Sequence, residues 1–164
     1  MTVERLDDCL KKSALVLTGA TPFKRNITKI MSEEIPSEFW LGIEQFNQQE
    51  YYACHDTLEA LWMEAMEPTK KFYQGILQIA VGLYHLSNQN WRGAVTSMGE
   101  GMSRLNYFKP DYFNINVEKL IDQTANLLLA IQQAGPEKVG DFVWAENSEQ
   151  NSLGITPPTI SKLD

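Results

Sequence analysis

Two neighbouring predicted helices carry the polar residues that could do chemistry. His55 and Glu59 lie four residues apart, and this spacing places both on one helical face, about 6 Å apart along the axis. Asp56 is turned by about 100° from His55 but lies three residues from Glu59. On the following helix a stripe of polar residues occurs at spacings of four and seven: Gln74, Gln78 and His85.

The connection between these helices predicts how the two stripes face each other. Residues 66–69 are short and contain Pro68, so the helices should be antiparallel neighbours, and residues whose numbers sum to about 135 should be level. Gln78 then falls between His55 and Glu59, and Gln74 lies near Glu59. We therefore expect these side chains to meet in the interior.

Unpaired polar groups cost several kcal/mol to bury, so we consider three explanations for the cluster. The favoured one is a closed hydrogen-bonded network that fixes the register of the helices. A second is a single divalent metal ion held by His55, Glu59 and His85, with Gln78 or Asp56 completing the shell. A dinuclear carboxylate site is excluded because it needs four carboxylates and two Glu-x-x-His pairs.

The third explanation is acid–base catalysis or the binding of a small ligand. His55, Glu59 and Asp56 would be the catalytic groups. The ligand would contact further polar and aromatic residues: Trp62, Gln74, Gln78, His85, Tyr51 and Tyr84. Cys54 adjoins His55, but adjacent residues diverge on a helix, so a Cys–His dyad is not expected. The sequence contains no P-loop or Rossmann glycine run.

The periodicity of the chain predicts the elements that position these residues. Residues 75–86 are apolar on almost every side, which is typical of a central buried helix. Asn90 and Asn116 can cap the helices that follow, and small residues at Gly93, Ser97 and Gly101 allow a close helix neighbour. The fold class is therefore all-α, a compact bundle of five or six helices around a buried helix at about 70–86. We expect three parts: an N-terminal helix and loop at 1–35, a bundle core at 36–134 and an extended or flexible tail at 135–164.

Composition restricts the class of protein. The 164 residues are 43% hydrophobic and 21% charged, with a net charge of −7, which is ordinary for a globular domain. The acidic total argues against a nucleic-acid partner, and the basic residues at 11–29 are interpreted as a solvated face.

The N-terminal residues do not resemble a signal peptide, and the apolar run at 79–83 is too short to span a bilayer. With two cysteines and no Cys-x-x-Cys, we expect a cytoplasmic protein without membrane association. A protein partner or homo-oligomer remains open.

One stretch of the sequence, residues 46–105, resembles a known family. It contains F-N-Q-Q-E-Y-Y-A-C-H-D-T-L-E-A-L-W, then F-Y-Q-G-I-L-Q-I-A-V-G-L-Y-H-L, then Asn90, Gly93 and Ala94. In this it is similar to domain-of-unknown-function family 309, a small all-helical family. The resemblance implies a helical bundle and no particular reaction. It marks the same polar positions: His55, Asp56, Glu59, Trp62, Gln74, Gln78 and His85. The family often has Gly where Gln49 stands, a carboxylate where Ala53 stands, and Glu in place of Asp56.

The sequence therefore favours an uncharacterised helical binding or scaffold protein with a buried His/Glu/Gln cluster. One alternative is a metal- or acid–base-dependent enzyme, hydrolytic in kind, that uses His55 and Glu59. Another is a helical-repeat-like peptide binder, with Trp91 marking an exposed apolar groove. The sequence leaves the cofactor and the partner unknown.

Overall fold

A computed structural model describes residues 34–146 and 148–164 of the chain. All but the last two residues of the predicted N-terminal helix and loop at 1–35, and with them the basic residues at 11–29, lie outside the described residues.

The described chain is a helical bundle, which confirms the predicted all-α fold class. Two short strands, β1 (Asp111–Tyr112) and β2 (Ile115–Asn116), pair in a small antiparallel ladder. The ladder lies between the last two α-helices in the sequence. Short 3₁₀ helices cover Asn106–Phe108 and Pro136–Phe142. The α-helices are α1 (Ser37–Asn47), α2 (Tyr51–Glu64), α3 (Thr69–Ser87), α4 (Trp91–Leu105) and α5 (Val117–Ala134).

Side-chain caps fix two of the helix starts at the predicted residues. Asn90 accepts a hydrogen bond from the backbone nitrogen of Gly93 at 3.0 Å, and Asn116 accepts one from Lys119 at 2.9 Å. Each bond satisfies a backbone donor that the first turn of a helix leaves without an intrahelical partner. Both caps were expected from the sequence and are confirmed.

The central helix is α3, as the sequence predicts, and every residue from 72 to 83 in it is buried. Its closest neighbour is α4, because small residues let the two backbones approach. A Cβ added to Gly101 would lie 2.7 Å from the carbonyl oxygen of Gly75. Although α3 has 19 residues, no helix within the described ranges is both long and apolar enough to cross a membrane.

The C-terminal segment returns to the bundle. The side chain of Asn47, the last residue of α1, exchanges two hydrogen bonds with the backbone of Ile160, at 2.9 and 2.7 Å. Ile160 is 3% exposed, and Val139 and Phe142 are also buried. The sequence predicts only an extended or flexible tail here, because contacts of a segment without periodicity leave no local pattern. The predicted division of the chain into three parts, at 1–35, 36–134 and 135–164, stays a prediction.

A candidate ligand site between three helices

Two contacts, one at each end of the helix pair, show which face of α2 meets α3. The rings of Tyr52 and Tyr84 have centroids 5.5 Å apart, and Lys70 Nζ lies 4.7 Å from the ring centroid of Trp62. In both cases the residue numbers sum to about 135, as antiparallel neighbours joined near residue 67 should. His55, between them on the same stripe of α2, therefore faces α3 and is 1% exposed.

The polar stripe of α3 is buried and also reaches α4. Gln74 and Gln78 are 2% and 0% exposed. Gln78 Nε2 donates a 2.7 Å hydrogen bond to Oε2 of Glu100 on α4, so its amide nitrogen is bound by α4 and not by the expected partners on α2. Glu100 was missed because the sequence reasoning used only the α2–α3 connection. Helices α3 and α4 are also joined by a short turn, and residues whose numbers sum to about 178 are level across it, including Gln78 with Glu100.

His55 lies between two carboxylates of its own helix. Its Nδ1 is 3.3 Å from Asp56 Oδ1, and its Nε2 is 3.9 Å from Glu59 Oε2. The ligand atoms of the three residues all lie within 4.8 Å of one another. Burial lowers the pKa of His55 below its ordinary value, although Glu59 and then Asp56 act in the opposite direction. The group therefore combines a buried imidazole with carboxylates that reach solvent, since Asp56 is 46% and Glu59 23% exposed.

The polar side chains of the three helices do not form a closed network. Within the described ranges, six buried side-chain atoms have no hydrogen-bond partner. One is Tyr51 Oη at the start of α2, and the other five are His55 Nε2, Trp62 Nε1, Gln74 Nε2, Gln78 Oε1 and Arg104 Nε. Arg104 lies one turn from Glu100 on α4, level with Gln74. Burial lowers the pKa of Arg104, and Glu100 opposes that shift. Gln78 does bridge two helices, as the network favoured from sequence requires, but His55 Nε2, Gln74 Nε2 and Gln78 Oε1 have no hydrogen-bond partner among the described residues.

The structure does not bring His85 to the His55 group. Its Nδ1 lies 3.3 Å from Asn90 Nδ2, and a Cβ added to Gly93 would lie 2.8 Å from its ring. His85 therefore packs at the start of α4. It is seven residues beyond Gln78, which is about 10 Å along the helix axis. Of the expected metal set, His55 and Glu59 lie together, with Asp56 beside them, and His85 lies elsewhere.

The aromatic residues that were expected to contact one ligand lie in two separate places. Tyr51 and Tyr84 line a cavity of about 720 Å³ at the start of α2, together with Tyr52 and Trp144, whereas Trp62 is not among its lining residues. Gln49 at the cavity edge has a φ of 63°, the left-handed conformation that glycine adopts readily. This explains physically why glycine suits the position.

Burial determines the reactivity of the Cys54 thiol. The thiol is fully buried, and burial raises its pKa to about 12. A thiol of that pKa is protonated near neutral pH and is a poor nucleophile. That Cys54 and His55 form no dyad stays a prediction from their adjacent positions.

Trp91 does not mark an exposed groove. Its indole Nε1 donates a 3.0 Å hydrogen bond to the carbonyl oxygen of Ile131 on α5, and the residue is half-buried. The peptide-binding alternative thereby loses the residue on which it was based.

Comparison with known proteins agrees with the resemblance found in the sequence. Residues 39–97 match the model of the domain of unknown function DUF309. The uncharacterised protein YpuF of Bacillus subtilis (strain 168) is 39% identical over 57 residues, which are 33% of this chain and 32% of that protein. The chain thus matches about a third of the length of this relative. No solved structure matches significantly. The matched segment includes the polar residues of α2 and α3 but ends before Glu100 and Arg104.

Proposed function

We propose that this chain, whose matched segment belongs to a domain without an assigned activity, is a helical protein that binds a small polar ligand between α2, α3 and α4. The observation that carries the proposal is a set of five buried polar atoms without partners, which are all those of the described ranges except Tyr51 Oη. A ligand that approaches all of them would supply the missing hydrogen bonds. Binding, rather than structural support, is then the role of the cluster.

The atoms themselves describe the chemistry of that ligand. The indole nitrogen of Trp62, the amide nitrogen of Gln74 and Nε of Arg104 can only donate hydrogen bonds. Trp62 and Arg104 flank Gln74 at nearly one level, by the antiparallel register of α2 and α4 on α3. A ligand with acceptor oxygens, such as a carboxylate or phosphate group, suits these three donors.

Charged residues lie at the outer edge of the cluster and offer a route to it. Asp56 and Glu100 are exposed, and Glu59 is partly exposed. Arg104 lies one turn from Glu100, and Lys70 lies over the ring of Trp62, so the edge presents both signs of charge. A polar ligand or ion could therefore exchange with solvent past the side chains of this edge.

Energetics favour a ligand site over a structural role. Each buried polar atom without a partner costs about 1–3 kcal/mol, while a whole domain is stable by only about 5–15 kcal/mol. Apolar side chains at the same positions would avoid this cost. Such a trade of stability for function is typical of binding sites.

Replacement of Gln74 by methionine tests the proposal without knowledge of the ligand. Gln74→Met keeps the length of the side chain and removes the unpartnered amide. We expect the free energy of unfolding, measured by urea denaturation of the ligand-free protein, to rise by about 1 kcal/mol.

A satisfied buried polar group provides the control. Thr124 is fully buried, and its hydroxyl donates a 2.8 Å hydrogen bond to the carbonyl oxygen of Leu120. Thr124→Val should lower the free energy of unfolding by about 1 kcal/mol. If Gln74→Met lowers stability as Thr124→Val does, the cluster is structural and the proposed function is wrong.

A further inference from the structure

We infer that the ligand of this cluster includes a divalent transition-metal ion, held by His55 Nε2, the Glu59 carboxylate and Gln78 Oε1. The inference rests on the proposed function, since it places an ion among the same unpartnered atoms. It differs from the site expected from the sequence, because His85 has no part in it.

The geometry of His55 assigns different roles to its two nitrogens. Nδ1 lies near Asp56 Oδ1, and Nε2 is buried, without a partner within the described ranges, 3.9 Å from Glu59 Oε2. That separation is too long for a hydrogen bond. Two atoms that each bind one ion at about 2.1 Å can lie up to about 4.2 Å apart. An ion between Nε2 and Glu59 fits this gap, and Asp56 would orient the imidazole through Nδ1.

Gln78 supplies the third atom from the facing helix. An ionised carboxylate only accepts hydrogen bonds, so the amide nitrogen of Gln78 is the atom that faces Glu100. The amide oxygen is then the atom of Gln78 that is left for another partner. It is buried and has no partner in the described part of the chain, and Gln78 is level with the space between His55 and Glu59 on α2. Glu100 thus fixes the orientation in which Gln78 offers an oxygen to an ion.

The donor set determines the class of ion. One imidazole nitrogen, one carboxylate oxygen and one amide oxygen, without a thiolate, suit Zn²⁺, Mn²⁺ or Fe²⁺. Zn²⁺ binds such a set more tightly than Mn²⁺ or Fe²⁺. It is therefore the best probe, because a site that does not bind Zn²⁺ will not bind the other two ions. The nearby Asp56 and Glu100 add negative charge that favours a cation.

Calorimetric titration with zinc chloride tests the inference. The full chain is first treated with EDTA and then desalted. We expect one equivalent of Zn²⁺ to bind. Glu59→Gln and His55→Gln should each weaken the affinity by about 100-fold, and Asp56→Asn by about 10–100-fold, because Asp56 acts through the imidazole.

The exposed Glu64 at the end of α2 provides a matched control. Glu64→Gln removes the same charge from the same helix, and the affinity for zinc should not change. Circular dichroism checks that each variant is folded. If His55→Gln does not fold, the zinc affinity of Glu59→Gln tests the inference instead. This variant should fold, because Glu59 is partly exposed and glutamine has the same shape as glutamate.

Two results would overturn the inference. One is the absence of stoichiometric zinc binding, and the other is an equal affinity of Glu59→Gln and Glu64→Gln. If Gln74→Met stabilises the protein while zinc does not bind, the metal ion is excluded and the proposed ligand site stands. If Gln74→Met destabilises it, the proposed function fails on its own test.

Discussion

The side chains of the cluster show which properties of a residue can be inferred from its neighbours in sequence. The spacing of His55 and Glu59 placed them on the inner face of α2, because a helix has a fixed period. The partner of Gln78 could not be inferred in this way. Two helices flank α3, and the period alone does not say that Glu100 on α4 holds the amide nitrogen.

The burial of Cys54, one residue before His55, can be tested by the pH dependence of the free energy of unfolding. Its thiol pKa is raised from an ordinary value of 9.0 to about 12 by burial. The unfolded chain therefore ionises at lower pH than the folded chain, so the contribution of Cys54 to stability is present below pH 9.0 and is lost as pH rises toward 12.

We expect the stability lost through Cys54→Ala to be smaller at alkaline pH. The difference in free energy of unfolding between wild type and Cys54→Ala should shrink by about 1–2 kcal/mol between about pH 8 and pH 10.5. Urea denaturation at the two pH values measures it. A difference that does not change with pH would show that the thiol of the folded protein ionises as freely as that of the unfolded chain.

At the scale of elements, small residues determine how closely α3 and α4 pack. The spacing of Gly93, Ser97 and Gly101 predicted a close neighbour, and the structure identifies α3 as that neighbour. A Cβ on Gly101 would lie 2.7 Å from the carbonyl oxygen of Gly75 and 3.0 Å from the backbone nitrogen of Ile79. Backbone atoms cannot move aside as a side chain can, so this contact fixes the distance between the helices. The same distance lets Gln78 reach Glu100.

Two glycines of α4 give a matched pair of substitutions. Gly101→Ala should lower the free energy of unfolding by about 2 kcal/mol or more, because the added methyl group overpacks the interface. A Cβ added to Gly99 would meet no described atom within 4 Å apart from the neighbouring residues and backbone of its own helix. Gly99→Ala should raise stability by up to about 1 kcal/mol through helix propensity. Thermal denaturation of both variants checks the pair, and equal effects would contradict the packing described for α3 and α4.

The bundle as a whole was predictable where the sequence is periodic. The apolar residues on all sides of α3 identified the central helix, and asparagine caps identified the starts of α4 and α5. The return of the C-terminal segment was not predictable. Its attachment depends on two hydrogen bonds between Asn47 and Ile160, which are 113 residues apart, and no local pattern encodes such a pair.

At this scale the arrangement explains why the polar cluster exists at all. Helices α2 and α4 both pack on α3, and each contributes polar residues to the stripe of glutamines between them. Because α3 is buried along most of its length, its amides must be satisfied by neighbouring helices, by ordered water or by a ligand. The structure leaves Gln74 Nε2 and Gln78 Oε1 without a partner among the described residues, and the proposed ligand supplies hydrogen bonds to both.

A high-resolution crystal structure of the purified full chain tests this central claim most directly. The account predicts electron density from a group that is neither protein nor water, within about 2–3.2 Å of His55 Nε2 and Gln78 Oε1. Direct hydrogen bonds among the five atoms, or contacts to ordered water alone, would contradict it.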